Sequence, residues 1–246
     1  MDQRGCGRSA RPATAGTYTF PRLVADLDML RAALGVERIT PWGVSFGCLI
    51  AAEYAVAYPE RVDRLVLHAP PIAGRLHPGP WSLRPDAVDA VVGAAMRASL
   101  RAGLVDVEDP IEQAWAVSDI LGADADAAAR FLYHDPGAAA AARHTSAAKL
   151  PPPDPEIARA LVGAERVVLA DDLAALDQPT LIMIGLWDRH VGVDLARSLA
   201  DRLPRSTLRL FAASAHLPDE EEPDAYVAAI REFLHESRSP ADSPSA

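Results

Sequence analysis

Residues 43–47 read Gly-Val-Ser-Phe-Gly, and what stands on either side of them decides the fold. Upstream, residues 39–42, Ile-Thr-Pro-Trp, have the character of a short strand, although Pro41 has no amide to give to a sheet. Downstream, residues 46–58, FGCLIAAEYAVAY, follow a helical pattern that must stop before Pro59. A G-x-S-x-G run between a strand and a helix puts its serine on a strained turn that lifts the hydroxyl out of the sheet. The two glycines, Gly43 and Gly47, are expected to leave room where a side chain would strike the neighbouring strand and helix. The helix start also aims backbone amides at any anion that forms beside the serine. Ser45 is therefore the candidate nucleophile, and the Phe46 amide the candidate oxyanion donor.

The same alternation extends outward from this turn. Residues 20–34 carry Leu23, Leu27, Leu30 and Leu34 at helical spacing, with Pro21 in the first turn and Gly35 as a stop. Residues 62–68 form a strand whose apolar run, Leu65 to Leu67, suits a parallel sheet buried on both faces. After a long interval the pattern resumes with a strand at 179–185, a helix at 193–203, a strand at 207–212 and an amphipathic helix at 224–236. Strands alternating with helices imply an α/β fold with a mostly parallel sheet covered on both sides. The interval between, residues 75–176, has helical texture (85–103, 109–121, 124–133) and the helix-breaking PPPDP at 151–155. We read it as a helical cap inserted into a core made of residues 1–74 and 177–246, whose last ten residues are expected to be disordered.

A serine hydroxyl needs a base, and the base needs an orienting carboxylate. In a parallel sheet, reactive groups gather at the carboxyl ends of the strands. His216 follows the last predicted strand, and Asp188 follows the strand before it, so both share that edge with Ser45. Their chain order, Ser, Asp, His, is the one found in α/β-hydrolases. The plainer alternatives are that His216 is a surface group and that Asp188 caps the helix starting near Val193. His190 is the fallback base; His68, His77, His134, His144 and His235 have no comparable placement.

Composition narrows the function classes. The 246 residues carry a formal net charge of -10, which argues against nucleic acid or anionic membrane as a partner. No run of about 20 apolar residues exists to span a membrane. Two cysteines, Cys6 and Cys48, suit free thiols in a reducing cytoplasm. No His/Cys cluster has metal-ligand spacing, and no G-x-G-x-x-G follows a strand, so no metal or cofactor is implied. A small molecule or short peptide is left as the expected substrate, and nothing in the sequence speaks to oligomeric state.

The opening run Asp2-Gln3-Arg4-Gly5-Cys6-Gly7-Arg8-Ser9, together with GVSFG, AYPERVDRLVL (57–67), GLWD and SAHLPDEEEP, resembles the prolyl iminopeptidase branch of the α/β-hydrolases. The resemblance covers residues 1–74 and about 177–236. It implies an α/β-hydrolase fold and a serine hydrolase working through an acyl-enzyme, either an aminopeptidase or an esterase. A perhydrolase or carbon–carbon hydrolase using the same triad, or a non-catalytic ligand-binding remnant, are the alternatives. The iminopeptidase turn resembles G-G-S-W-G where this chain has Gly-Val-Ser-Phe-Gly, and the cap lacks a Trp-x-x-Trp-Glu element. Glu108, Glu112, Glu156 and Glu165 are possible partners for a substrate amine. In the family the D-Q-R-G turn follows the fourth of eight strands. The resemblance therefore implies that four strands and an H-G-G loop with the second oxyanion amide belong before residue 1, and it leaves residues 39–42 expected as a hydrophobic edge.

Overall fold

Strands that are apolar along their whole length need cover on both faces. Leu65–His68 (β2) and Thr180–Gly185 (β3) are of this kind, and every residue in them is buried. The computed structural model describes residues 1–11, 15–72, 125–135, 137–138 and 170–235. With Trp42–Val44 (β1) and Ser206–Phe211 (β4), these strands form a four-stranded parallel sheet in the order β1-β2-β3-β4. Register runs Val44 to His68 to Met183 to Arg209, which brings the carboxyl ends of all four strands to one edge.

Side chains alternate across the sheet with the period of two that strand geometry dictates. Leu65, Leu67, Ile182 and Ile184 face one layer, made of the helices Phe20–Ala33 (α1), Phe46–Ala57 (α2) and Val193–Ala200 (α5). Val66, Leu181 and Met183 face the other, where Tyr226, Ala229, Ile230 and Phe233 of Pro223–His235 (α7) cover them. Each large aliphatic side chain buried this way is worth about 1.5–3 kcal/mol. Also described are the helices Ala125–Leu132 (α3), Ala170–Leu173 (α4) and Pro218–Glu221 (α6), with 3-10 turns at Ala15–Thr17 and Pro59–Arg61.

The first strand begins later than the sequence suggests. Pro41 has no N–H, so regular pairing starts at Trp42 instead of Ile39. Ile39 makes only an isolated bridge to Val62, and Pro41 contributes its carbonyl to the Val66 amide at 3.0 Å. Within the described sheet β1 is an edge, with Trp42 51% and Val44 41% exposed. Of residues 75–176, the helix expected at 124–133 is present as α3, whereas those expected at 85–103 and 109–121 lie outside the described residues. So does the tail from 237 onward.

The opening turn is anchored on α1. The Arg4 guanidinium grips the Asp26 carboxylate at 2.6 and 2.5 Å and also reaches the Thr17 carbonyl at 3.2 Å. Gly7 sits at φ 50°, a backbone conformation that favours glycine, and the Asp2 carboxylate tip lies 2.6 Å from where a Cβ would be.

Candidate functional site

The chain leaves β1 through an abrupt turn. Ser45 adopts φ 49° and ψ -118°, a left-handed conformation that costs a non-glycine residue of order 1–3 kcal/mol. What holds it there is short-range. The Ser45 amide donates to the His68 carbonyl at 2.8 Å, and the Cys48 amide donates to the Ser45 carbonyl at 2.9 Å. Gly43 makes the turn possible: a Cβ there would lie 2.4 Å from the Cys48 nitrogen and the Gly47 carbonyl. Gly47 differs from expectation, because no described atom lies within 4 Å of a Cβ built on it. α2 starts at Phe46, whose amide therefore stands at the head of the helix, where N–H groups point along the axis and away from it. Ser45 itself is partly exposed.

Asp188 and His216 meet. The His216 Nδ1–H donates to Asp188 Oδ2 at 2.8 Å, with the histidine 5% and the aspartate 3% exposed. The other carboxylate oxygen accepts the His190 and Val191 amides at 2.7 and 2.8 Å. Burial pushes the Asp188 carboxyl upward, but the His216 hydrogen bond and charge, with the Val191 amide, outweigh it and leave it below the usual carboxylate range. The helix-cap alternative does not hold, since the N-cap of α5 is Gly192 and carries no side-chain cap bond.

His190 does not take the place of His216. Its ring lies against those of His216 and Phe131, at centroid distances of 5.0 and 5.5 Å. Burial and the neighbouring His216 charge push it down to about 4, against the opposing pull of Asp188, so it is neutral at pH 7.

The loops carrying Asp188 and His216 are bound to each other along their length. Leu186 and Trp187 donate their amides to the Phe211 and Ser214 carbonyls at 2.9 and 3.0 Å, and the Trp187 indole donates to the Ala212 carbonyl at 2.9 Å. Gly185 permits this approach: a Cβ there would lie 2.1 Å from the Ala215 oxygen. The segment around α3 is tied to the same rim. Leu132 accepts the His216 amide at 2.9 Å, and the Glu221 carboxylate gathers the amides of His134, Asp135 and Ala215 at 2.7, 2.9 and 2.7 Å. His134 stacks on Trp187 at 4.4 Å.

The structure thus joins Asp188 to His216 directly, and Ser45 to His216 through His68. The His68 carbonyl holds the Ser45 amide, and its ring Nε2 stands 3.1 Å from the His216 carbonyl. Sequence reasoning passed over His68, Gly185 and Glu221. For His68 a signal existed: a polar side chain ending an otherwise apolar strand at the reactive edge needs a buried partner. Glu108, Glu112, Glu156 and Glu165 lie outside the described residues. Among the described residues, no group of three or more His, Cys, Asp or Glu is arranged to hold a metal ion, and no helix is long and apolar enough to cross a membrane.

Comparison with known proteins bears on the fold. The family described as alpha/beta hydrolase fold matches residues 1–223. A probable proline iminopeptidase of Streptomyces coelicolor is 44% identical over 72 residues, which are 27% of this chain and 22% of that protein. A proline iminopeptidase of Clostridium botulinum is 25% identical over an alignment of 257 positions, 96% of this chain and 79% of that protein. Among solved structures, an esterase from a Rhodococcus species aligns with a TM-score of 0.69 and 26% identity, covering 96% of this chain and 78% of that one.

Proposed function

Since the chain belongs to the α/β-hydrolase fold family, we propose that it is a serine hydrolase in which Ser45 is the nucleophile, His216 the general base and then acid, and Asp188 the orienting carboxylate. The observation that carries this reading is the buried 2.8 Å bond between His216 and Asp188 at the strand edge where Ser45 sits on its strained turn. With Asp188 accepting the proton on Nδ1, the His216 Nε2 is bare and able to take a proton. Ser45 Oγ then attacks the substrate carbonyl carbon as its proton passes to Nε2. The Phe46 amide, at the head of α2, faces the charge that develops on the carbonyl oxygen. The imidazolium returns its proton to the leaving amine or alkoxide, leaving Ser45 acylated. Water, deprotonated by the same nitrogen, releases the acid and restores the serine.

The relatives order the substrates to be tried. Proline iminopeptidases are similar to this chain over 72 residues of it and, more distantly, along most of its length. We take an amide of a short peptide with a free N-terminus as the first substrate to try. Short esters come second, because an esterase is among the structures that share the fold at 26% identity. The segment around α3, which belongs to the inserted interval, would form one wall of the acyl site, and the interval 75–176 would set specificity.

An alkyl fluorophosphonate probe tests the chemistry. The protein should be labelled, and Ser45→Ala should abolish the label. A folded protein that stays unlabelled would favour a non-catalytic binding role. Proline amides, p-nitrophenyl esters and a vinylogous diketone then separate peptidase, esterase and carbon–carbon hydrolase.

A further inference from the structure

We propose that His68 is a positioning residue, which fixes the main chain of Ser45 relative to that of His216 as the tautomer with its proton on Nε2. The inference rests on the serine-hydrolase reading above and adds to it a residue outside the triad. Three observations carry it. First, His68 is fully buried at the end of β2 and bonds both halves of the site, its carbonyl to the Ser45 amide at 2.8 Å and its ring to the His216 carbonyl at 3.1 Å. The far side of His216 is held by the Leu132 carbonyl, so the peptide groups before and after its α-carbon are both fixed.

Second, the hydrogen bonds admit one tautomer. A carbonyl can only accept, so Nε2 must carry the proton that reaches the His216 oxygen. Nδ1 is then a bare acceptor, and the Tyr226 hydroxyl stands 3.0 Å from it as the donor. The Trp42 ring packs on the Tyr226 ring, with centroids 6.0 Å apart. A chain of donors therefore runs from α7 through the His68 ring to the His216 loop. Third, the backbone is strained on both sides of the junction. Among the described residues, Ser45 at φ 49° and Ala69 at φ 50° are the only non-glycine residues with positive φ, and the Ser45 amide bonds the carbonyl that joins His68 to Ala69. Paired strain at one contact marks a geometry that the surroundings enforce.

The groups facing His68 fit a neutral ring. Tyr226 comes from α7, Cys48 from α2, Asp219 from α6, and Asp188 and His216 from the two loops. Burial, aided by the His216 charge, lowers the His68 ring below the usual histidine range, although Asp219 and Asp188 pull the other way. A neutral His68 can hold the His216 carbonyl without repelling the imidazolium that forms during the reaction.

The test compares fluorophosphonate labelling rates for the full chain with those of His68→Met, which keeps the volume and removes the donor, and His68→Gln, which restores an N–H. His68→Met should label about ten- to a hundredfold more slowly at temperatures well below its melt, the scale of a misplaced catalytic group. His68→Gln should recover most of that rate. Tyr226→Phe should show a smaller loss, and keeps the test open if the His68 variants do not fold. ¹⁵N NMR of the wild-type chain should show the His68 proton on Nε2. A labelled wild type with His68→Met at the same rate, or a proton on Nδ1, overturns the role of His68 alone. A wild-type chain that takes no label overturns the serine-hydrolase reading, and the role of His68 with it.

Discussion

The two halves of the site are built differently. Asp188 and His216 stand on loops that follow β3 and β4, which pair over six residues, and those loops are bound together by main-chain and indole hydrogen bonds. Ser45 follows β1, which pairs over three residues at a sheet edge with Trp42 and Val44 half in solvent. On one side the geometry comes from many ordinary contacts, and on the other from a few contacts around a strained turn. The contrast matters because the proposed chemistry needs both halves in register. An imidazole that must stay in one orientation sits best in a dense network, whereas a hydroxyl that must project from a sheet needs an abrupt bend.

Asp188→Asn should produce the largest effect and tests the dense half directly. Asp188 Oδ1 already accepts two amides, so the carboxamide oxygen of an asparagine would stay there and its NH₂ would turn to His216. An NH₂ forces Nδ1 to accept, which moves the ring proton to Nε2 and leaves no base for Ser45. We expect the labelling rate to fall by about 10⁴-fold with the fold intact. A drop under tenfold would show that the His216 network fixes the tautomer without Asp188.

The two glycines that allow close approach set the halves against each other. A methyl at Gly185 would meet the Ala215 and Ser214 carbonyls at 2.1 and 2.3 Å, and one at Gly43 would meet the Cys48 amide and Gly47 carbonyl at 2.4 Å. Backbone atoms cannot swing aside as a side-chain tip can, so Gly185→Ala and Gly43→Ala should each cost about 3 kcal/mol or more. Thermal melts measure that. If the loops act as one unit, Gly185→Ala will also depress labelling in the folded fraction, because it shifts Asp188 and His216 together. Unchanged labelling would mean that the loops tolerate separation.

How much of this was legible in the sequence follows the same division. The apolar runs of β2 and β3, the helix at 20–34 and the strand–turn–helix setting of Ser45 were readable because local pattern and tertiary role agree. Ser45, Asp188 and His216 were readable as candidates from their places after successive strands. The strand expected at 39–42 starts only at Trp42, because the amide that Pro41 lacks, visible in the sequence, keeps the ladder from extending back to Ile39. Glu221 was hidden because a glutamate in an acidic run reads as solvated, and only folding brings the amides of His134, Asp135 and Ala215 to it. His68 was hidden for a related reason, since its partners, Tyr226 and His216, are distant in the chain.

Acidification should weaken the dense half first. His190, held down at about 4, is neutral when folded and takes up a proton when unfolded below about 6.5. Its contribution is present above pH 6.5 and is lost as pH falls toward 4, at a cost of order 1–3 kcal/mol. The depressed Asp188 adds a further loss only below the ordinary carboxylate range. Asp28 behaves likewise: its bond to Arg31, then those to Arg61 and Tyr54, outweigh burial and hold it at about 2. Melting temperatures should therefore decline in two stages, and His190→Asn should flatten the first.

The smallest effect concerns Gly47. In the sequence Gly43 and Gly47 look alike, bracketing Ser45, but the structure crowds only the first. Gly47 lies in the first turn of α2 with no described atom near its missing Cβ. An alanine there restricts the unfolded chain and favours the helix, so Gly47→Ala should raise stability by about 0.5 kcal/mol. Labelling by a small fluorophosphonate should be unchanged. If the melt rises while labelling or amide turnover falls, the space beside Gly47 is used by the reacting group, and the elbow is kept open for substrate instead of for folding. If the melt falls, the neighbour that crowds Gly47 belongs to another part of the chain, and the sparse half of the site is as tightly enclosed as the loops opposite it.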